Sequence, residues 1–279
     1  MFATRPVLFL GAVFVPTSLF GAAVVGSPDR LWPSHTIDYI VCDQSFEGAR
    51  RDPCKPQAGK GSSQALLRSE QARLVRTTAE RWNLEFGNNL RLREVSRARA
   101  TSTLVFRASS RPTRCSTQGV GFLPRQRLKY VSIGSACTPG ALGRQTNMGT
   151  VAHEILHAIG FYHEQQRGDR ARLIRVRNVG RKARQWQPLC DADRRHCRHS
   201  EADGEALGSY DFGSLMHYSL GNRTARATAA GRRRLVEQRL VASDVGQREW
   251  LTLSDIRAIR ALYPAGHLIG RKQPREAGD

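Results

Sequence analysis

The sequence predicts an α+β fold, because helix-like and strand-like patterns follow one another along its 279 residues. Apolar residues recur at helical spacing in 65–82, in 147–160 and in a last stretch that ends before Pro264. Short runs at 36–41, 90–95, 103–106 and 128–133 are rich in strand-forming residues. A chain of this length can bury a sizeable core.

The first 26 residues differ in kind. Arg5 is their one charge, Val7 to Val25 is almost wholly apolar, and the stretch ends in small residues, Gly21-Ala22-Ala23 and Gly26. This reads as a secretory signal peptide over 1–26, cleaved after Ala23 or Gly26, with an uncleaved membrane anchor as the alternative. Cleavage leaves a mature chain without a transmembrane segment. One domain is expected over 27–264, and a polar, disordered tail over 265–279. Export places the protein outside the cell, or in the periplasm of a Gram-negative source.

After a strand at Thr36–Val41, a loop containing Gly and Pro runs through Ser63. The helix from Ala65 to Trp82 shows an apolar stripe of Ala72, Val75, Ala79 and Trp82, and Gly87-Asn88-Asn89 ends it. Strands follow at Leu90–Val95, Thr103–Phe106 and Leu128–Ile133. A second helix runs from near Asn147 to Gly160, its stripe formed by Ala152, Ile155, Leu156 and Ile159. The chain is then irregular and charged until a last helix. There Thr252 and Asp255 have capping-box spacing, Ile256, Ile259 and Leu262 form the apolar face, and Pro264 stops it. Residues 222–234 read as a solvated basic loop. Asn222-Arg-Thr224 is a glycosylation sequon only in a eukaryotic source.

The second helix carries the chemistry. His153 and His157 are four residues apart and project from one face, so both imidazoles can reach one ion. Gly160 can end the helix in a left-handed turn, which lets His163 approach from the other side. Three protein ligands and an open fourth position make a catalytic zinc site. Glu154 is placed to take a proton from the metal-bound water. Chance could place a bare H-E-x-x-H on a helix, but the glycine and third histidine at fixed offsets argue against it. One catalytic Zn2+ per chain is therefore expected.

The six cysteines of an exported chain imply three disulfides. No Cys-x-x-Cys occurs, which disfavours a cysteine zinc knuckle. Proximity suggests Cys42–Cys54, Cys115–Cys137 and Cys190–Cys197. The formal charge is +20, falling to +19 with the loss of Arg5. Such a field favours acidic substrates and anionic surfaces. The arginines are scattered and no nucleic-acid motif accompanies them, so no specific nucleic-acid partner is expected.

The extended run His153 to His163, with Glu164-Gln165-Gln166-Arg167 after it, resembles the astacin family of metzincin metalloproteases. Tyr210-Asp-Phe-Gly-Ser214-Leu-Met216-His217-Tyr218 is similar to that family's Met-turn. Weaker similarity lies at Trp32-Pro33, Ile37-Asp-Tyr39-Ile40, Val245-Gly-Gln-Arg248, Leu253-Ser-Asp-Ile256 and Leu262-Tyr263. The resemblance implies a zincin-like catalytic domain with a twisted mixed sheet and two long helices in its N-terminal subdomain. An irregular C-terminal subdomain with a terminal helix would close the active-site cleft from the other side.

By the same resemblance Met216 is a structural base of the site, and Tyr218 is a switchable ligand that also stabilises the oxyanion. The implied activity is monomeric endopeptidase cleavage of proteins or peptides. A catalytically silent zinc module that binds acidic polymers is the alternative. Only Cys115–Cys137 matches a bridge of the family. Its usual inhibitory pro-segment is not expected in the short stretch before Trp32. The resemblance also pairs the mature N-terminus with the glutamate after the third histidine, which leaves the partner of Glu164 open here.

Overall fold

The computed structural model describes residues 21–46, 53–54, 66–97, 102–135, 148–177, 184–189, 204–221 and 224–266. The central sheet has five strands in the order β3-β2-β4-β6-β5. They are β2 (Thr36–Val41), β3 (Arg91–Glu94), β4 (Thr103–Ala108), β5 (Ser116–Thr117) and β6 (Leu128–Ile133). β3, β2, β4 and β6 are mutually parallel, and β5 adds antiparallel at the edge, with Thr117 opposite Val131. The sheet is mixed and the class is α+β, as expected.

Side-chain alternation divides the sheet faces. Ile37, Tyr39, Leu104, Phe106, Val131 and Ile133 join the main core with helices α1 (Ser69–Phe86) and α2 (Met148–Ile159). Ile40 and Val105 form a smaller cluster with the Cys42–Cys54 disulfide. That bridge matches the expected pairing. Cys115 is disulfide-bonded too, while Cys137, Cys190 and Cys197 lie outside the described residues.

Helix α1 starts four residues later than the pattern suggested, at Ser69. Leu67 donates its N–H to Cys42 O at 2.6 Å, and Gln71 caps Arg68 N, so residues 66–68 remain extended. Its end moves out to Phe86, fully buried with its ring 4.6 Å from that of Trp82.

Several elements were not foreseen. Strand β1, Gly21–Val25, is wholly buried and pairs antiparallel with β8, Gly204–Gly208. It lies inside the segment expected to be removed; cleavage after Ala23 would cut this strand, and cleavage after Gly26 would remove it whole. Apolar small residues that suit a leader also suit a buried strand, so the same segment reads both ways in the sequence. In place of the basic loop at 222–234, β9 (Ala225–Ala227) pairs with β7 (Ile174–Val176), and α3 runs from Ala229 to Glu237. Thr228 caps α3 by accepting from Gly231 N, and buried Leu235 anchors it despite its arginines. Helix α4, Leu253–Leu262, has the expected Thr252 and Asp255 capping box. The expected tail beyond 266 and Asn222 of the sequon lie outside the described residues. No helix among the described residues is long and apolar enough to cross a membrane.

Candidate metal and catalytic site

Helix α2 is held almost rigidly. Val151, Ala152, Ile155, Leu156, Ala158 and Ile159 are fully buried. The last carbonyls of a helix lack intrahelical partners, and here donors from distant parts of the chain supply them. Gly121 N reaches His157 O at 2.8 Å, Trp32 Nε1 reaches Ala158 O at 2.8 Å, and the Tyr263 hydroxyl reaches Ile159 O at 2.7 Å. Trp32 and Tyr263, far apart in sequence, thus meet at the end of the helix that carries two of the histidines.

Gly160 then takes φ 116°, which reverses the chain as expected. Val25 N bonds Gly160 O at 2.9 Å and Tyr162 N bonds Ala23 O at 2.8 Å, so β1 itself fixes the turn. His163 returns toward the helix. The ligand nitrogens of His153, His157 and His163 all lie within 4.8 Å of one another.

The hydrogen bonds behind the rings fix the tautomers. His153 Nδ1 lies 2.9 Å from Leu215 O and His157 Nδ1 lies 2.8 Å from Phe161 O. A carbonyl oxygen only accepts, so both Nδ1 atoms carry the proton. His163 Nδ1 lies 3.1 Å from Gln166 Oε1. Each Nε2 is left with a lone pair, and those of His157 and His163 are 3.2 Å apart. Burial holds all three imidazoles below their ordinary pKa, His157 at about 4. Neutral, converging nitrogens with hydrogen-bonded outer atoms suit a zinc ion.

Glu154 is buried beside the first of these ligands, and burial raises its pKa to about 7 against the lowering effect of Thr117. Thr117 Oγ1 lies 2.8 Å from Glu154 Oε2 and 2.8 Å from Glu154 O. The Tyr218 ring sits 4.3 Å from that of His163, and its hydroxyl donates to Gln185 Oε1. Burial pushes that phenol up to about 12.

Met216 is buried in the main core and accepts Glu164 N at 3.1 Å. The turn around it is clasped by polar side chains. Asp255 accepts from Ser214 Oγ at 2.7 Å and Leu215 N at 2.9 Å. Arg248 Nη1 donates to Leu215 O at 3.1 Å and His217 O at 3.2 Å. Gln165 Oε1 accepts Tyr218 N at 2.9 Å, and its Nε2 donates to Gln185 O at 3.1 Å. His217 stands apart from the cluster: it accepts the Tyr210 hydroxyl at 2.7 Å and donates to Tyr218 O.

Glu164 has an internal partner. Its Oε1 accepts Asp211 N at 2.9 Å and lies 3.5 Å from the fully buried Arg167. Arg167 also donates to Leu207 O at 2.8 Å and Gly208 O at 2.7 Å, tying the site to β8. Glu164 Oε2 is buried without a hydrogen-bond partner among the described residues, and burial lifts the carboxyl to about 8.

The structure therefore brings His153, Glu154, His157, His163, Met216 and Tyr218 together. Sequence reasoning missed Thr117, Gln165, Gln185 and the clasping role of Arg248. Asp255 was visible only as a helix cap.

Comparison with known proteins bears on the family and the fold. The family model described as Astacin (Peptidase family M12A) matches residues 68–264. A zinc metalloproteinase dpy-31 of Teladorsagia circumcincta is 28% identical over 91% of this chain and 34% of its own length. Nematocyst expressed protein 6 of Nematostella vectensis is 34% identical over 54% of this chain and 46% of its own length. The chain thus spans less than half the length of these curated relatives. Among solved structures, high choriolytic enzyme 1, a hatching enzyme zinc-protease from the medaka Oryzias latipes, superposes with a TM-score of 0.53. It covers 85% of this chain and 96% of its own at 18% identity, and so speaks to the fold.

Proposed function

Because the chain belongs to the astacin family, peptidase family M12A, we propose that it is a zinc metalloendopeptidase that hydrolyses peptide bonds in proteins. The observation that carries this reading is the set of three tautomer-fixed histidines with Glu154 beside them. His153, His157 and His163 would hold the ion. Zinc, when bound, polarises a carbonyl and acidifies a water.

The chain's own residues do the rest. Glu154 takes a proton from the attacking water and returns it to the leaving amine. The Tyr218 hydroxyl leaves Gln185 and turns to the carbonyl oxygen as charge develops there. Met216 and its clasped turn support the ring of His153 through Leu215 O. An intact Glu154 and Tyr218 argue against the catalytically silent module.

Export is part of the same proposal, since the Cys42–Cys54 bridge suits an oxidising compartment. The leader would end before Gly21 and so spare β1. A side chain at Gly21 would collide with Ser209 O, so this end of the strand is tightly enclosed. Its Cβ position is 3.4 Å from Asp211 N, which bonds Glu164.

Cleavage of a peptide library, with and without a chelator, tests the activity and reads its site preference. Chelator-sensitive cleavage is expected; cleavage indifferent to metal removal would overturn the reading. N-terminal sequencing of exported protein tests the boundary, and a chain starting at Val24 or Ser27 would contradict it.

A further inference from the structure

A carboxylate that serves as a base has two oxygens and a terminal torsion with little intrinsic preference. Something must decide which oxygen faces the reaction. In this chain that something is a hydroxyl from the sheet edge.

We propose that Thr117 is the positioning residue of Glu154: it pins Oε2 and leaves Oε1 to take the proton. The inference rests on the peptidase reading for its consequence, though not for its geometry. Thr117 Oγ1 lies 2.8 Å from Oε2 and 2.8 Å from the peptide oxygen of the same Glu154. The hydroxyl has one proton to give to these two acceptors, and its donation to Oε2 is the contact that pins the carboxylate, with the peptide oxygen of the same residue alongside. No hydrogen bond to Oε1 occurs among the described residues.

The grip is stiff because β5 and the segment after it are fastened to β6. Thr117 is opposite Val131 in the sheet, and Gln118 N bonds Tyr130 O at 2.9 Å. Just beyond, the buried Lys129 Nζ reaches the carbonyls of Gln118 at 2.9 Å, Gly119 at 3.1 Å and Gly121 at 2.7 Å. Gly121 N in turn bonds His157 O at 2.8 Å. The edge segment thus touches α2 at Glu154 and again one turn later.

Thr117→Val keeps the shape and removes the hydroxyl, whereas Thr117→Ser keeps the hydroxyl. In the zinc-loaded chain the valine variant should lose about 10- to 100-fold in kcat, the range for outer partners of a metal site. KM and bound zinc should stay within about twofold, since only an interaction expressed in turnover is removed. The serine variant should stay within about threefold of the wild type in kcat, because the hydroxyl is retained.

A second readout needs neither zinc nor turnover. The carboxylate stretching band of Glu154, identified in the zinc-free protein by its loss in Glu154→Ala, should move in the valine variant and stay put in the serine variant. Unaltered kcat in the valine variant, an equal fall in both variants, or an unmoved band would each overturn the proposal. Absence of zinc-dependent cleavage in the wild type would remove the peptidase reading instead, and the infrared comparison would still decide whether Thr117 holds Oε2.

Discussion

The two halves of the site are held by different physics. Helix α2, with His153, Glu154 and His157, is placed by apolar burial: its inner face shares one core with the sheet and α1, a core that includes Trp82, Phe86 and Phe106. The Met-turn half, with Met216 and Tyr218, is placed by polar side chains that grip backbone. Asp255, Arg248, Gln165 and Arg167 each hold peptide groups far away in sequence. Apolar packing is tolerant of small changes and spreads their cost. A buried polar clasp is all or nothing, because losing one partner strands the other. The first half should therefore fail by losing stability, and the second by losing the site.

Trp82→Ala attacks the apolar half and should cost about 3–5 kcal/mol of unfolding free energy, as for other buried tryptophans. Zinc affinity should be little changed in molecules that remain folded. Asp255→Ala attacks the clasp and should cost about 3 kcal/mol, through stranded donors at Ser214 and Leu215. It should also weaken zinc binding by about 10- to 100-fold, since Leu215 O orients His153. Denaturation and zinc titration of the two variants separate these patterns; equal loss of zinc affinity in both would erase the distinction.

Tyr218→Phe sharpens the comparison further. It removes only the hydroxyl, so turnover should fall by roughly a hundredfold, the scale of one oxyanion donor, with zinc retained. A fall in zinc affinity without a fall in kcat would make Tyr218 mainly a structural residue of the clasp.

The apolar half was largely legible in the sequence, and the clasp was not. The stripes of α1 and α2 and the strand at Leu128–Ile133 are local patterns that survive intact. Gln165 to Tyr218 and Thr117 to Glu154 are contacts across tens of residues, and no periodicity announces them. The strand β1 was hidden because Gly21-Ala-Ala-Val-Val25 has the composition of a leader. Helix α3 was hidden because Arg232-Arg-Arg234 outweighs its single buried anchor, Leu235. His153, His157 and His163 stood out because a metal imposes its own spacing on the chain.

Lys129, buried against the carbonyls of 118–121 on the α2 side, offers a smaller test. Burial, with the Arg30 cation near, lowers its pKa from 10.5 to about 7. Between those values the unfolded chain holds a proton that the folded chain has released. Stability should therefore rise with pH across that window through this group. Lys129→Met should lose that rise when unfolding is followed against pH; an unchanged profile would show that the lysine is not the source. Leu84, 90% exposed on α1, sets the floor. Leu84→Ala should change stability by less than about 0.5 kcal/mol, and a larger cost would reveal packing on the outer face of α1.

The central claim is that one set of residues, His153, His157 and His163 with Glu154, binds zinc and hydrolyses peptides. Zinc content and peptide cleavage measured side by side in wild type and Glu154→Ala test it most directly. One zinc per chain in both proteins, with hydrolysis almost wholly confined to the wild type, is the result expected. Full cleavage by Glu154→Ala, or a wild type that binds no zinc, would contradict it.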